Sequence, residues 1–374
     1  MSEFVTRKIT DSAGTGAPSF TYGLNSGGSD SGLIGKAFTS SGTEPSSPAN
    51  GDLWYDSDND KLYYYVNSEF KQITHSNAVN FTWGGTRAVA MGGYASSGIS
   101  NVMQYWDMSS ASDAADFGDL QQAKYQATGF SNASRGIAAR GFTGSVKVNE
   151  IDYITISTTG NATDFGDAIA AAGQNGGNGA CDGTTGLFAG GDDVGTYSAT
   201  IDAITVATTG NATDHGDLTA GRIYVPMAND ATRYLAMGGY ESGGVNLVNK
   251  IEYGSFTAGN AVDFGDLINS AYNAAALSDT TRALKAGGYS GSNTNVIEYV
   301  TIQTTGDGTD FGDLSAGRQG VGGFSDGTNG HFAGGWSYEL QIDAVVIQTT
   351  GNATDHGDLA VGYARPACCS GNAS

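Results

Sequence analysis

The 374-residue chain is poor in several residue types, and each shortage removes a class of protein. There are three cysteines, Cys181, Cys368 and Cys369. That is too few for a disulfide framework, and no Cys/His spacing suits zinc. Lys and Arg total 17 against 38 acids, for a formal net charge of −21. This disfavours nucleic acid, because phosphate binding needs a basic footprint. The opening MSEFVTRKITDSAG lacks an apolar signal core, and there is no run of about 18 apolar residues. The expectation is a soluble chain, not exported by the usual signal and not inserted in a membrane. No 3.6-residue apolar periodicity extends far enough for a long helix. Proline occurs five times. No nucleophile elbow, phosphate loop or sialidase-type Asp box stands out.

Glycine, by contrast, occurs 58 times. Without a triplet period this is not collagen, and it suits short strands joined by glycine turns. One motif recurs six times: Asp116-Phe117-Gly118-Asp119, Asp164-Phe165-Gly166-Asp167, Asp214-His215-Gly216-Asp217, Asp263-Phe264-Gly265-Asp266, Asp310-Phe311-Gly312-Asp313 and Asp355-His356-Gly357-Asp358. The central glycines lie 48, 50, 49, 47 and 45 residues apart. In step with it runs a β-like segment ending in a glycine pair: RAVAMGGY (87–94), GLFAGGD (186–192), RYLAMGGY (233–240), RALKAGGY (282–289) and HFAGGW (331–336), with a degenerate copy RGIAARGF (135–142). Paired glycines permit positive φ and close backbone approach, as strands converging on a crowded axis require. A third run, such as EIDYITISTTG (150–160) or QIDAVVIQTTG (341–351), is rich in Ile, Val, Thr and Tyr and ends in a tight turn. A fourth, Ala-rich strand follows DFGD. Four strands per 45–50 residues, repeated radially, make a β-propeller blade.

The fold expected is therefore all-β, with six blades. The chain ends PACCSGNAS (366–374), where a further glycine-pair strand would begin. A C-terminal strand would then complete the first blade and remove two sheet edges. Residues 79–85, with Trp83, compete for the same place. The hydrophobic run followed by Gly-Gly and then Tyr94, Tyr240, Tyr289 or Trp336 resembles kelch repeats across roughly 85–374. The later Trp of that family is absent, and the Phe or His of DFGD takes a similar core position. The resemblance implies a kelch-like β-propeller and little about function.

Residues 1–75 lie outside the repeat, and 76–374 are assigned to the propeller. Residues 11–50, rich in Gly, Ser, Thr and Ala, look extended or loosely ordered until partnered. PANGDLWYDSDNDKLYYYVNSEFKQI (48–73) reads as a hairpin around a polar turn, with a third strand through Phe70–Ile73. It resembles the GDLWYD element of bacteriophage tail-fibre and other virion proteins, with Phe70 where Trp is usual. The resemblance implies a small β-hairpin or meander anchor, with Leu53, Trp54, Tyr55, Tyr63 and Tyr65 as attachment residues. A sheet this small is marginal alone, so a virion partner is expected.

His215 and His356 stand where four repeats carry Phe, which favours core filling over metal or acid–base work. The DFGD carboxylates suit turn hydrogen bonds better than calcium. Asp56-x-Asp58-x-Asp60 begins like a calcium loop, but Asn67 stands where Glu is expected. The NAT triplets at 161–163, 211–213 and 352–354 read as turn chemistry. Arg87, Arg135, Arg233 and Arg282 share one repeat position; Asp152, Asp202, Glu252, Glu298 and Asp343, with Gln104, share another. These two sets are expected to pair as a structural ring. No metal, cofactor or catalytic residue is assigned. The segments after each glycine pair vary most, making Tyr94, Asp192, Tyr240, Tyr289 and Trp336 candidate recognition residues. The combined expectation is a non-enzymatic, homo-oligomeric phage virion protein made in the host cytoplasm. Its N-terminus would bind other virion proteins, and its propeller would face a host glycan or protein. A purely architectural tail, nozzle or capsid-decoration subunit is the alternative, and a carbohydrate-active enzyme a third.

Overall fold

The computed structural model describes residues 38–50, 52–57, 61–66, 68–72, 85–173, 177–193, 195–241 and 247–373. They divide into two compact units, with the division between Ala78 and Val79. No helix occurs among the described residues.

The N-terminal unit is a four-stranded sheet in the order β1 (Phe38–Ser41), β2 (Leu53–Asp56), β3 (Lys61–Val66) and β4 (Glu69–Gln72). The hairpin and third strand match the sequence pattern; β1, parallel to β2, is an addition. Side chains alternate across a pleated sheet. Trp54 stacks on Tyr63 at 4.9 Å and meets Phe70 edge-on at 5.3 Å, and Tyr65 meets Phe70 at 5.0 Å. The Trp54 indole N–H donates to Ser41 O at 3.0 Å. Leu53 and Tyr55 alternate with Trp54 and so belong to the opposite face, splitting the expected attachment residues between two faces. Residues 58, 60 and 67 of the calcium-like loop lie outside the described residues.

The second unit is a six-bladed β-propeller, each blade a four-stranded antiparallel sheet. From the axis outward, blade 1 uses Ala367–Gly371, Arg87–Ala95, Gly98–Asp107 and Ala115–Asp119. Blade 2 uses Thr128–Ser131, Arg135–Phe142, Lys147–Thr155 and Thr163–Asp167. Blades 3 to 6 repeat this, ending at Thr213–Asp217, Val262–Asp266, Thr309–Asp313 and Thr354–Asp358. The C-terminal strand holds the innermost place of blade 1, pairing Ala367 with Met91 through Gly371 with Arg87. Residues 79–84 lie outside the described residues. The Ala-rich fourth strand of each sequence unit thus becomes the innermost strand of the next blade. The first and last strands of the propeller meeting in one sheet close the ring and leave no open blade.

The core is six slabs, one between each pair of adjacent blades. Ala and Gly crowd toward the axis, and Phe, Leu and Tyr fill the wider rim. The DFGD motif is the outermost strand, and its register explains it. In blade 2, Ile151 pairs with Gly166 but Asp152 with Asp164, so Phe165 is the extra residue of a β-bulge. All six blades repeat the bulge. It turns Phe117, Phe165, Phe264, Phe311, His215 and His356 into the slabs, where all are buried. The two histidines fill core positions as expected, and each ring also bonds a neighbouring blade's carbonyl, Ser255 O or Asp107 O, at 3.0 Å.

The exposed side of each DFGD strand is not free. Gly160 N donates to Phe117 O at 2.7 Å, Ala162 N to Asp119 O at 2.8 Å, and Asp119 N to Asn161 Oδ1 at 3.0 Å. Asn211, Asn260, Asp307, Asn352 and Asp113 repeat the side-chain cap round the ring. Each GNAT-type turn therefore latches the previous blade's edge, which is the turn chemistry that the NAT triplets carry. The motif glycine has to be glycine: φ is +148° at Gly265, and a Cβ there would collide with Gly306 O of the next blade.

The expected pairing of Arg87, Arg135, Arg233 and Arg282 with the repeated acids does not occur. Each of these guanidiniums lies over a tyrosine of its own blade (Tyr105, Tyr153, Tyr253, Tyr299) at 4.1–4.8 Å. Each donates to a carbonyl of the next blade (Ile156, Val206, Ile302, Ile347) at 2.9–3.2 Å. The acids are paired with other, buried cations. Lys124 meets Asp152 at 2.9 Å, Arg140 Asp202 at 2.7 Å, Arg222 Glu252 at 2.7 Å, Lys285 Glu298 at 3.3 Å and Arg318 Asp343 at 2.5 Å. The physical reason is register: each second-strand arginine pairs three positions along the ladder from the acid, as Arg233 with Ser255 while Glu252 faces Ala236.

The cations come from three different places. Lys124, Arg222 and Arg318 precede the innermost strand of blades 2, 4 and 6. Ala172 and Ala271 stand there in blades 3 and 5. Blade 5 supplies Lys285, the direct cross-strand partner of Glu298. Blade 3 borrows Arg140 of blade 2, which takes the first position of the degenerate glycine pair at φ 60°. Blade 1 needs no cation, because its neutral Gln104 bonds Val361 N and O, both at 2.8 Å.

Candidate recognition face

The glycine-pair strands end, and the innermost strands begin, at the same end of the propeller. Tyr94 N donates to Ala364 O at 2.9 Å and Gly93 N to Lys124 O at 3.0 Å. Two families of loops therefore meet on one face. The post-glycine loops contribute Tyr94, Tyr240, Tyr289 and Trp336, which sequence reasoning selected. The loops entering the innermost strands contribute Tyr125, Tyr224, Tyr272 and Arg365, which it did not.

Together they form a continuous aromatic band. Tyr94 stacks with Trp336 at 6.2 Å and contacts Tyr125 at 5.3 Å and Tyr338 at 5.9 Å. On the other side Tyr272 contacts Tyr224 at 5.4 Å, Tyr240 at 5.5 Å and Tyr289 at 5.7 Å, and Tyr240 meets Tyr197 at 6.2 Å. Arg365 joins the halves: its guanidinium lies 4.8 Å from the Tyr224 ring centroid and 4.5 Å from that of Trp336. Trp336 is 42% exposed and Tyr338 36%, whereas the tyrosines nearer the axis are half-buried or buried.

The face is rigid for stated reasons. Gln126, Tyr224, Asn273 and Arg365 occupy equivalent loop positions, all with φ between 54° and 61°, in the left-handed region. Their side chains hold one another over the axis: Gln126 donates to the Tyr224 hydroxyl at 3.3 Å, and Arg365 Nε to Asn273 Oδ1 at 2.9 Å. Asn273 Nδ2 donates in turn to Gln319 Oε1 at 3.2 Å. Tyr338 is also left-handed, at φ 63°, and its carbonyl abuts Gly362, where a Cβ would collide. Backbone strain of this kind gathers where a surface has to be held in one shape. Burial pushes the Tyr224 hydroxyl up to about 12 and raises Tyr125, while Arg365 pulls both the other way. Both phenols stay neutral, and Arg365 is the charge at the centre of the band.

Asp192 behaves differently from the other four candidates. It is buried, pairs with Lys147 at 2.9 Å and accepts from Gly195 N at 2.7 Å, so it holds its own turn.

Beneath this face runs the axial channel, narrowed to a cavity of about 60 Å³ lined by the six innermost strands. A hydrogen-bond relay links the six innermost strands at the far end. Ser131 donates to Ser370 O, Ser370 to Ser325 O, Ser325 to Ser278 O, Ser278 to Asn229 O and Asn229 to Cys181 O, at 2.5–2.8 Å. Nothing in the channel has the size of a substrate site. The cysteines are buried there with thiols pushed up, Cys181 to about 12, so they are not nucleophiles at neutral pH. No cluster of His, Cys, Asp or Glu that could hold a metal occurs among the described residues. No helix among them is long and apolar enough to cross a membrane.

No protein-family model matches the chain, and no curated protein matches it. The site is therefore characterised by its geometry: a rigid aromatic band with one central cation.

Proposed function

We propose that this chain is a phage virion structural protein, a tail fibre or peripheral tail appendage. Its N-terminal sheet attaches to other virion proteins, and its propeller presents the aromatic face to the host surface. The observation that carries this reading is that the GDLWYD segment forms a small sheet in a compact unit of its own, outside the propeller. A four-stranded sheet of short strands has little core to stabilise it and fits a role completed by a partner. The face supports the display half of the reading, since exposed Trp and Tyr on a rigid scaffold are the residue types that dominate recognition surfaces. The reading carries no catalytic role. Homo-oligomers are expected of such an appendage.

A second reading, a purely architectural subunit buried among its copies, is favoured by Ile169 and Ile268. They occupy one repeat position on the rim and are 50% and 57% exposed. Cryo-electron microscopy of the intact particle tests both. Density for residues 38–72 on the virion, with the face toward solvent, supports display. A propeller packed into a ring through Ile169 and Ile268 supports architecture. Absence of the chain from particles overturns both.

A further inference from the structure

The propeller carries twelve Lys and Arg residues, and eleven of them pair with a carboxylate or a next-blade carbonyl. Lys124, Arg140, Lys147, Arg222, Lys250, Lys285 and Arg318 pair with carboxylates. Arg87, Arg135, Arg233 and Arg282 cap carbonyls of the next blade. The twelfth is Arg365. Among the described residues no carboxylate lies within ion-pair distance of it, and only its Nε has a hydrogen-bond acceptor, Asn273 Oδ1. Its two Nη groups, the fork that grips a carboxylate bidentately, are unengaged. Tyr224 on one ring face and Asn273 at Nε hold the fork in place, so little entropy is lost when a ligand binds it. In a chain of net charge −21, a preorganised guanidinium without an ion-pair partner among the described residues is the exception that needs a reason.

Beside it stands an aromatic wall exposed at Trp336 and Tyr338. Trp336 lies against the guanidinium, Tyr94 is nearly parallel to Trp336 at an interplanar angle of 13°, and Tyr338 flanks Tyr94. Flat aromatic faces take the C–H faces of pyranose rings, and the phenol and indole edges remain available for hydroxyls. A carboxylate fork beside an aromatic wall matches a sugar carrying a carboxyl group on its ring. A peptide carboxylate would use the fork but leave the wall unfilled.

We propose that Arg365, Trp336, Tyr94 and Tyr338 form a binding site for an acidic saccharide, a uronate or nonulosonate unit of a surface polysaccharide. The carboxylate sits on the Arg365 Nη groups, and the sugar ring packs against the exposed parts of Trp336 and Tyr338. This deepens the display reading and names the class of surface it would contact.

The test titrates the full chain with trigalacturonate and with a short oligomer of α2,8-linked N-acetylneuraminate, following heat and tryptophan fluorescence. Neutral galactotriose and a Glu-rich peptide serve as controls. At least one acidic oligosaccharide should bind, more weakly as salt rises, with both controls weaker by about tenfold or more. Which one binds distinguishes uronate from nonulosonate. Arg365→Gln should weaken binding by about tenfold or more in a chain that still folds, because Gln126 already occupies the equivalent left-handed position in blade 2. Trp336→Leu should weaken both acidic and neutral sugars. Failure of both acidic oligosaccharides to bind overturns the proposal. So does equal binding of galactotriose or of the peptide, or an Arg365→Gln variant that binds like the parent. A chain found on particles that binds neither oligosaccharide sinks this site and spares the virion reading. Binding by a chain absent from particles does the reverse.

Discussion

Blades 1, 2, 4 and 5 differ from blades 3 and 6 at three positions that change together. In the first group an Arg opens the second strand, a Tyr sits in the third and a Phe forms the bulge. In the second group these become Thr185, Ala203 and His215, or Asn329, Ala344 and His356. The Arg lies over the Tyr, the Tyr packs edge-on against the Phe at 5.8–6.2 Å, and the Arg ties to the next blade's carbonyl. In blades 3 and 6 the imidazole alone does both jobs, filling the slab and bonding the next blade's carbonyl. Each of the six junctions therefore carries one tie of this kind, four cationic and two through an imidazole. The difference teaches that a repeat conserves the tie and not the residue. The spacing, three blades apart, makes the ring two similar halves.

The largest expected effect lies in what both blade types share, the buried acid. Asp343→Ala leaves Arg318 buried without a counter-charge and should cost about 3–5 kcal/mol in urea unfolding. In blade 1 the buried Tyr363 stands at the Arg318 position and Gln104 at that of Asp343; installing that neutral pair, Arg318→Tyr with Asp343→Gln, should recover most of it. Equal destabilisation by the single and double variants would show that the charge pairing is not what matters.

Acid should separate the junctions next. His331, in blade 6, accepts from the Trp106 indole N–H at 3.0 Å and lies 4.1 Å from His356, ring to ring. Burial, reinforced by the neighbouring His356, lowers it to about 3. The unfolded chain titrates near 6.5, so between these values it binds a proton that the folded chain refuses. Stability is full above pH 6.5 and falls as pH drops toward 3, by up to about 4 kcal/mol from this group. His331→Leu, the residue of blades 3, 4 and 5, should flatten the decline measured by melting at pH 7 and pH 4. An unchanged slope would place the acid sensitivity elsewhere.

Gly265→Ala tests the latch that every junction uses. Positive φ and the collision with Gly306 O should cost about 2–3 kcal/mol in thermal unfolding. A silent substitution would mean that the latch yields.

The smallest effect sharpens the comparison most. His215→Phe should lose about 1 kcal/mol, one carbonyl bond, by urea midpoint. Adding Thr185→Arg and Ala203→Tyr should restore it by converting blade 3 to the other type. Failure of the triple variant to recover would deny that the three positions act as a unit.

Much of this was legible beforehand. The period, the six DFGD motifs and the phase of the chain ends led to a six-bladed ring closed by the C-terminal strand, because side-chain period and turn chemistry are local. The pairing of the acids was not legible. Their cations lie on three unrelated elements, and only the folded ring brings Arg140 to Asp202 or Lys124 to Asp152. The linked change of Arg, Tyr and Phe was written in the repeat and could have been found by comparing blades position by position. Four of the five recognition candidates stood in variable loops and do meet on one face. Arg365 escaped notice because it belongs to a different loop family, converging with the first only across the axis.

By itself, then, the sequence determined the elements: short strands, glycine turns, the bulge at every DFGD and a segment outside the repeat. Each depends on residues adjacent in the chain, whose φ preferences and alternation act locally. Tertiary structure alone decided which charges neutralise each other, which side chain ties each junction and which cation is left over on the aromatic face. Those outcomes depend on distances between blades, set only once the ring closes and water is driven from the slabs between them.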